Sequence, residues 1–274
     1  MSSDLISKIN SRQYKEPVFC FTSDIDWASE EVMLQYFMKV NPYELHPTLF
    51  LTHHSSIAEE MFLRKKIDRG IHPNFLKYSS HGDTFGYVID TCLKFAPEAK
   101  CFRSHRAFDV TDTNHLLKEK YKFQYSSNYF NVFGKCFPMY HESGLINFPI
   151  FFEDGTHLYN KFDLNFSTYE KFFCQSGLKI ISFHPMNFIF NSPSLSFMRN
   201  IKDSMSREEF NTIGVDEIAN MKNKFQKGIG DFVIEIIEWV KSNDFQVMTL
   251  QQLYDDLISE EDCPITEALE KFYK

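Results

Sequence analysis

Short apolar segments alternate with longer amphipathic segments along the chain, which is the pattern of repeated β-α units around a parallel sheet. The segment KIISFH at 179–184 is nearly continuously apolar, as strands buried on both faces are. We therefore predict an α/β fold, a single distorted (β/α) barrel of about seven parallel strands. The predicted strands are residues 18–23, 47–52, 69–72, 100–103, 123–127, 146–152, 179–184 and 245–249.

The amphipathic segments predict the helices. They cover residues 29–40, 57–67, 84–95, 114–120, 208–225 and 229–243, with a last helix from about 251. Residues 185–207 lack periodicity and are rich in Asn, Ser and Pro, which predicts a long loop over one end of the barrel that could act as a lid. A chain of 274 residues suffices for one barrel, so we expect a single domain over 1–274 with residues 1–17 as an N-terminal extension.

Charge and composition narrow the function classes. The net charge of -8, without a Lys/Arg-rich stripe, argues against a nucleic-acid partner. No stretch reaches the ~18 apolar residues of a membrane helix, and residues 1–17 lack the apolar run of a secretory signal. We therefore expect no transmembrane segment and a cytoplasmic location. Six cysteines without a CxxC pair predict buried thiols rather than disulfides or a thiolate zinc site. The sequence carries no signal for an oligomeric state.

Ionisable and polar residues concentrate where the predicted strands end. In parallel β/α architectures, the carboxyl ends of the strands meet on the face where sites are built. The strand-end residues are Asp24, Asp26, His72, Arg103, Glu153 and His184.

Asp24 and Asp26 follow the apolar strand VFCFTS directly. One carboxylate of such a pair can bind a cation while the other takes a proton from water, which is the division that metal-assisted hydrolysis requires. The structural alternative is helix N-capping, with Asp26 or Ser29 satisfying free N–H groups.

His72 and His81 flank the polar segment HPNFLKYSSHG. A loop of this length can bring two imidazoles onto one cation, and two histidines with one carboxylate suit zinc or a similar divalent ion that still binds water. Two surface histidines are the alternative.

The other strand-end residues each have two interpretations. Arg103 can orient a carboxylate base through a bidentate contact or form a structural salt bridge. His184 can be a general acid that protonates a leaving amine, or a histidine bonded to the backbone. Glu153 can contact substrate, whereas Asp154 before a glycine favours a turn. His54 is expected to be a loop or supporting residue rather than a ligand.

In chain order these segments resemble the motifs of the polysaccharide deacetylase (NodB-homology) family. FTSDIDW is similar to its first motif TFDDG, PTLFLT to its second strand, and RGIHPNF to its metal-binding strand end. CFRSH is similar to its arginine motif and SFHP to its final histidine motif. With FQVMTLQQL, which is similar to the terminal strand and helix, the resemblance covers about residues 18–257. The HPNF and SSHG pieces resemble a divergent subgroup that is encoded with surface-polysaccharide synthesis enzymes.

The resemblance implies a NodB-like barrel and a metal-dependent hydrolase that removes an N-acyl group, expected to be acetyl, from an amino sugar or surface-polysaccharide precursor. It implies that Asp24 is the catalytic base, that Asp26 and His72 are metal ligands, that Arg103 steadies Asp24, and that His184 is the catalytic acid. The implied cofactor is one divalent metal ion, expected to be zinc.

Two departures from the family pattern concern the pocket. The family's second ligand histidine lies four residues after the first, where this chain has Leu76. His81 or Asn74 could replace it, and we expect His81 to complete the ligand set. Residues 104–107 (SHRA) stand where the family has PPYG, which changes the pocket wall. The residues expected to bind substrate are Asn74, His105, Arg106 and Glu153.

Two other functions stay open. The missing histidine at Leu76 and the altered arginine motif are compatible with a non-catalytic carbohydrate-binding or scaffold protein on the same barrel. The same metal centre could also hydrolyse another linear amide.

Overall fold

The computed structural model describes residues 6–9, 12 and 14–259, and in this part of the chain one curled sheet of ten strands forms the centre of the molecule. All neighbouring strands are parallel except β6 and β7. The strands are β1 (Pro17–Asp24), β2 (Thr48–Leu51), β3 (Asp68–Ile71), β4 (Cys101–Phe102), β5 (Tyr125–Ser126), β6 (Met139–Tyr140), β7 (Ile146–Asn147), β8 (Ile150–Glu153), β9 (Gly177–Ser182) and β10 (Gln246–Val247).

The strand order is β6-β7-β5-β4-β3-β2-β1-β9-β8, with β10 pairing β1 as well. A parallel bridge between Phe130 and Ile150 links the segment after β5 to β8. The sheet therefore curls into a half-barrel, and the predicted α/β class is confirmed. The strand count is higher than predicted, because 146–152 divides into two strands in different parts of the sheet and because the short antiparallel strand β6 was not expected.

Helices connect most of the strands. They are α1 (Glu30–Val40), α2 (Ser56–Leu63), α3 (Phe85–Cys92), α4 (Thr111–His115), α5 (Asp154–Tyr159), α6 (Phe166–Phe173), α7 (Pro185–Phe190), α8 (Leu195–Asp203), α9 (Arg207–Asn211), α10 (Val215–Met221), α11 (Ile229–Ser242) and α12 (Leu250–Ile258). A π-helical turn, Leu116–Lys120, follows α4 directly. Short 3-10 turns lie at Asn41–Tyr43 and His105–Ala107.

Strand β1 is the central strand of the sheet. It pairs with β2 and β9, and it pairs with β10 near its amino end. All eight of its residues are buried, as expected for a parallel strand that is covered on both faces. The strand therefore delivers Asp24 to the carboxyl end of the barrel from the middle of the core.

The predicted loop at 185–207 is wrong, because most of it is helical. Helix α7 begins with Pro185, which suits the first helical position, and five of its six residues are buried. A helix that is buried nearly all round has no amphipathic period, which is why the sequence pattern hid it. The predicted helix 208–225 also divides, into α9 and α10, with Gly214 as the N-cap of the second.

The described cysteines are free thiols, but they are not all buried. Cys174 is exposed, contrary to expectation, and Cys263 lies outside the described residues. Residues 1–5, 10, 11 and 13 of the predicted N-terminal extension also lie outside them. Within the described ranges, no helix has the length and apolar character needed to cross a membrane.

Candidate active site

The carboxyl ends of the parallel strands surround a cavity of about 420 Å³. Strands β1, β3, β4, β8 and β9 each end at this cavity, because parallel neighbours in a curled sheet present the same end to the same side. The structure brings together most of the residues that the sequence singled out. Its polar lining includes Asp24, Asp26, His72, Arg103, His105, Arg106, Glu153 and His184.

Arg103 holds Asp24 at the floor of the cavity. One guanidinium nitrogen, Nη1, donates to Asp24 Oδ1 at 2.9 Å and to Ser182 Oγ at 2.7 Å. The other two nitrogens donate to Ser127, Nε to its carbonyl oxygen at 2.7 Å and Nη2 to its hydroxyl at 2.8 Å. The contact with Asp24 is through one nitrogen, so the bidentate geometry expected from the sequence is wrong. Arg103 is 2% exposed, and its fixed charge lies directly beside the carboxylate.

A tight turn after β1 directs Asp26 into the cavity. Asp26 and Trp27 have φ angles of 40° and 58°, the left-handed region that non-glycine residues avoid. The end of β2 holds this turn, because the Trp27 amide donates to Thr52 Oγ1 at 3.0 Å and His53 Nε2 donates to the Ala28 carbonyl oxygen at 3.0 Å. Two consecutive strained residues cost on the order of 1–3 kcal/mol each. Such strain is typical of positions where the direction of a functional side chain is fixed.

Asp26, His72 and His105 form a compact group of possible metal ligands. Asp26 Oδ1 lies 3.3 Å from His72 Nε2 and 3.2 Å from His105 Nδ1, and the two ring nitrogens are 3.3 Å apart. Ligand atoms about 2.0–2.1 Å from one tetrahedral ion lie about 3.3 Å from one another. The three atoms can therefore all present lone pairs to one divalent cation.

The electrostatic surroundings of Asp26 favour its ionised carboxylate, which is the form that binds metal ions. Burial by itself would raise the pKa of Asp26, but hydrogen bonds with His105 and His72 and the charge of His184 hold that pKa well below its usual range. His72 is 2% exposed, and its Nδ1 has no hydrogen-bond partner among the described residues. The closest acid to that nitrogen is Asp24, at 3.9 Å.

His81 does not join this group. The Asn74 backbone N–H donates to His81 Nδ1 at 3.1 Å, and His81 Nε2 lies 2.7 Å from the Thr52 carbonyl oxygen. Because an amide only donates and a carbonyl only accepts, the ring is the neutral Nε2–H tautomer with both nitrogens engaged. Burial lowers the pKa of His81, which also favours the neutral form. The expected ligand is therefore a buried support of the loop, and its ring lies 5.6 Å from that of Trp27.

Asn74 also serves its own loop. Its side-chain oxygen accepts from the Leu76 amide at 3.1 Å. It is absent from the described residues that line the cavity, so the structure does not place it where the sequence expected substrate contact. His105, which the sequence assigned to substrate, occupies the third position beside Asp26 and His72.

His184 is held by Asp154. His184 Nδ1 donates to Asp154 Oδ1 at 2.6 Å, and the His184 backbone N–H donates to Asp154 Oδ2 at 2.9 Å. The opposite nitrogen, Nε2, faces Asp26 Oδ2 at 3.6 Å. Burial alone would lower the pKa of His184, but the charges of Asp154, Asp26 and Glu153 raise it well above its usual value. Sequence reasoning missed this contact of Asp154 with His184, because a carboxylate before glycine is typical of a turn.

Glu153 begins α5 as its N-cap and also lines the cavity. Its carboxylate accepts from the Gly155 amide at 3.0 Å and from the Thr156 amide. Burial, together with the charge of Asp154, raises the pKa of Glu153 to about 7. The remaining strand-end histidine, His54, is exposed and lies 3.9 Å from Glu59, as expected for a loop residue.

Comparison with known proteins decides the family. A family model described as WbmS-like polysaccharide deacetylase matches residues 21–202. The chain belongs to this family. The predicted resemblance to polysaccharide deacetylases is confirmed. The polar residues that line the cavity all lie within the matched segment of this deacetylase-like chain.

Two solved structures resemble this WbmS-like chain in fold. A putative polysaccharide deacetylase involved in O-antigen biosynthesis, from Bordetella bronchiseptica, has a TM-score of 0.71 and 22% identity, covering 82% of this chain and 91% of that one. A putative polysaccharide deacetylase from Mycobacterium smegmatis has a TM-score of 0.50 and 11% identity, covering 90% and 92%. A search of curated proteins gave no match.

Proposed function

We propose that this protein is a metal-dependent hydrolase that removes an N-acyl group, expected to be acetyl, from an amino sugar or a surface-polysaccharide precursor. The observation that carries the proposal is the meeting, in one cavity, of a possible ion site, an arginine-held carboxylate and an aspartate-held histidine. Each of the three supplies a different part of an amide hydrolysis.

Asp26, His72 and His105 would hold one divalent cation, expected to be zinc. Two imidazoles and one carboxylate leave a coordination position open for water or substrate, as catalytic zinc sites do. The bound cation would supply Lewis acidity, polarising the acyl carbonyl and lowering the pKa of a nearby water. This assignment replaces His81 with His105 on the distances given above.

Asp24 would accept the proton of the attacking water. Its carboxylate lies at the cavity floor, and Arg103 fixes it through a short charge-assisted hydrogen bond. With Oδ1 held by Arg103, the carboxylate keeps one position in the cavity that also contains the proposed ion ligands. Arg103 acts through Asp24 and is a positioning residue.

His184 would donate a proton to the departing amine. His184 Nδ1 carries a hydrogen and donates it to Asp154. The other ring nitrogen, Nε2, therefore faces the cavity on the side of Asp26. Asp24 is the last residue of β1, and His184 follows the end of β9. Both line the cavity together with the proposed ion ligands. An acid and a base on either side of the same carbonyl are what amide hydrolysis requires.

The scaffold alternative depended on the missing histidine at Leu76 and on the altered arginine motif at residues 104–107. In the proposed site His105, which belongs to that altered motif, would supply the third donor atom, so both departures are compatible with a metal site. The choice between sugar amides and other linear amides depends on the assay below.

The test is acetate release by the zinc-loaded protein from N-acetylated oligosaccharides, nucleotide-linked N-acetyl amino sugars and small linear N-acyl amides. We expect turnover of a sugar substrate, loss of activity on chelation, and a loss of about 100-fold or more in Asp24→Asn and His184→Gln. Asp216→Asn, an exposed acid on α10, is the matched control. Full activity in Asp24→Asn, or in metal-free protein, contradicts the mechanism. Preferred turnover of the linear amides contradicts the substrate class.

A further inference from the structure

A second cavity of about 390 Å³ adjoins the candidate active site. The two share Asp26 and His184 at the centre and Arg106 and Lys202 at the edge. The second cavity then continues along α7 and α8, where its lining includes Asn187, Arg199 and Asp203. A substrate whose acyl group lies at the proposed ion site therefore has room for its next chemical group on this side.

Three cationic side chains line this second cavity. Arg199 and Lys202 are three residues apart on α8, so they lie on the same side of the helix, and Arg106 lies across from them after β4. All three residues are exposed. The acids that line the cavity are Asp26, which belongs to the proposed ion site, and Asp203.

None of these three cations is neutralised by an acid within the described ranges. The structure gives Arg106 and Arg199 no side-chain ion pair or hydrogen bond there, and the ammonium group of Lys202 lies over the Phe210 ring at 5.1 Å. By contrast, Arg64 is paired with Glu60 and Arg69 with Glu98. In a chain with a net charge of -8, three unneutralised cations around one cavity form a local field of opposite sign.

The backbone of the loop that carries Arg106 is held in a tight turn. Arg106 has a φ of 56° and Ala107 one of 49°, both in the left-handed region. Hydrogen bonds attach the two residues before Arg106 to neighbouring segments. The His105 amide donates to the Pro73 carbonyl oxygen at 2.9 Å, and the Ser104 amide donates to Asn128 Oδ1 at 3.0 Å. The turn therefore places His105 beside Asp26 while the following residue lines the cavity mouth.

We propose that Arg106, Arg199 and Lys202 bind an anionic group of the substrate, so that the protein acts on an acidic N-acyl amino sugar. This inference rests on the proposed function and names its substrate class. Guanidinium groups match the planar carboxylate of a uronic acid and the oxygens of a phosphate ester, so the shared chemistry is an oxyanion next to the acylated ring. The anionic group contributes binding and stays unchanged in the reaction.

The experiment compares three substrates that carry the same N-acetyl amine: a neutral amino sugar, its uronic acid, and its phosphate ester. Wild type, Arg106→Gln, Arg199→Gln and Lys202→Gln are assayed with Lys224→Gln, an exposed lysine outside both cavities, as the control. We expect each cavity variant to raise KM about 10-fold for the acidic substrate, with kcat nearly unchanged, because each variant removes a charge-assisted hydrogen bond to the anionic group. KM for the neutral sugar should not change in Arg199→Gln, because Arg199 lines the second cavity and not the candidate active site.

If the variants raise KM for the uronic acid, the anionic group is a carboxylate. If they raise KM for the phosphate ester, it is a phosphate. Equal effects on neutral and acidic substrates, or a wild-type preference for the neutral sugar, overturn the inference while leaving the proposed function intact. A calorimetric titration with glucuronate and with inorganic phosphate separates the anion site from the proposed hydrolase function. It compares zinc-loaded wild type with a triple variant that combines Arg106→Gln, Arg199→Gln and Lys202→Gln. Loss of anion binding in the triple variant supports the anion site even if no substrate is turned over, and equal binding in the two proteins overturns it.

Discussion

At the scale of single residues, the proposed ligand set takes its third donor atom from a neighbouring loop. The sequence has Leu76 where the resembling family has a histidine, and the closest histidine along the same loop is His81. In the structure, the His105 amide donates to the Pro73 carbonyl oxygen, which docks the loop after β4 onto the loop after β3. This contact brings His105 beside His72. Spacing along one loop could not reveal it, because the contact joins residues that are far apart in sequence.

Asp154 accepts two hydrogen bonds from His184 and brings a negative charge beside its ring. Asn at this position can still accept a hydrogen bond from His184 Nδ1, but the negative charge that favours protonated His184 is lost. We expect kcat of Asp154→Asn to fall by about 100-fold with a small change in KM, because the lost interaction concerns proton donation rather than substrate binding. Steady-state kinetics on the acetate-release assay measure both constants.

Asp216→Asn serves as the matched control for Asp154→Asn, since it removes an exposed carboxylate far along the chain. A purely structural role for Asp154 would leave kcat of the folded variant close to that of wild type. Asp154→Glu should recover part of the loss, because it restores the charge at the cost of a longer side chain.

At the scale of elements, burial decides which predictions succeed. The first strand and α1 were predicted within about one residue at each end, because β1 is continuously buried and α1 has a clear apolar face. The strand-end rule also placed Asp24, His72 and His184 around the same cavity. Local pattern could not find α7, which is buried nearly all round, or separate β7 from β8. Those features depend on tertiary packing rather than on periodicity.

Strand β9 carries a buried lysine, Lys179. Lys179 is fully buried, its Nζ has no hydrogen-bond partner among the described residues, and it lies over the Phe151 ring at 4.3 Å. Burial lowers the pKa of Lys179 to about 8. Below that pH the folded protein holds a charge that water would solvate better, so the charge costs stability.

We expect Lys179→Met to raise the free energy of unfolding at pH 7 by about 2 kcal/mol, since methionine keeps the packing on Phe151 without the charge. Between pH 8 and the ordinary lysine pKa near 10.4, the unfolded chain binds a proton that the folded chain lacks, so this contribution makes wild type more stable as pH rises. The difference between the two proteins should therefore shrink from pH 7 to pH 10 in urea unfolding. A difference that is zero at pH 7, or that grows with pH, contradicts this explanation.

At the scale of the whole molecule, the proposed ion site joins loops that the sheet brings together. Asp26 follows β1, His72 follows β3 and His105 follows β4, so the three donor atoms meet only when these parallel strands are paired. An unfolded chain has no such arrangement. Binding of an ion must therefore stabilise the folded protein by mass action, and stability becomes a measurement of the site that needs no substrate.

Zinc-dependent stability distinguishes the two histidines that could be the third ligand, His105 and His81. Free Zn²⁺ at 100 times its Kd should stabilise wild type by about 2.7 kcal/mol and raise Tm by roughly 5 °C. His105→Ala should lose the zinc-dependent rise, and its metal-free Tm should fall less than that of His81→Ala, because the His105 side chain is 17% exposed whereas His81 is 3% exposed. His81→Ala should lower the metal-free stability by about 2–4 kcal/mol, through a buried cavity and two lost hydrogen bonds, and keep the rise. The reverse result, a rise that survives in His105→Ala and disappears in folded His81→Ala, would return the third ligand to His81.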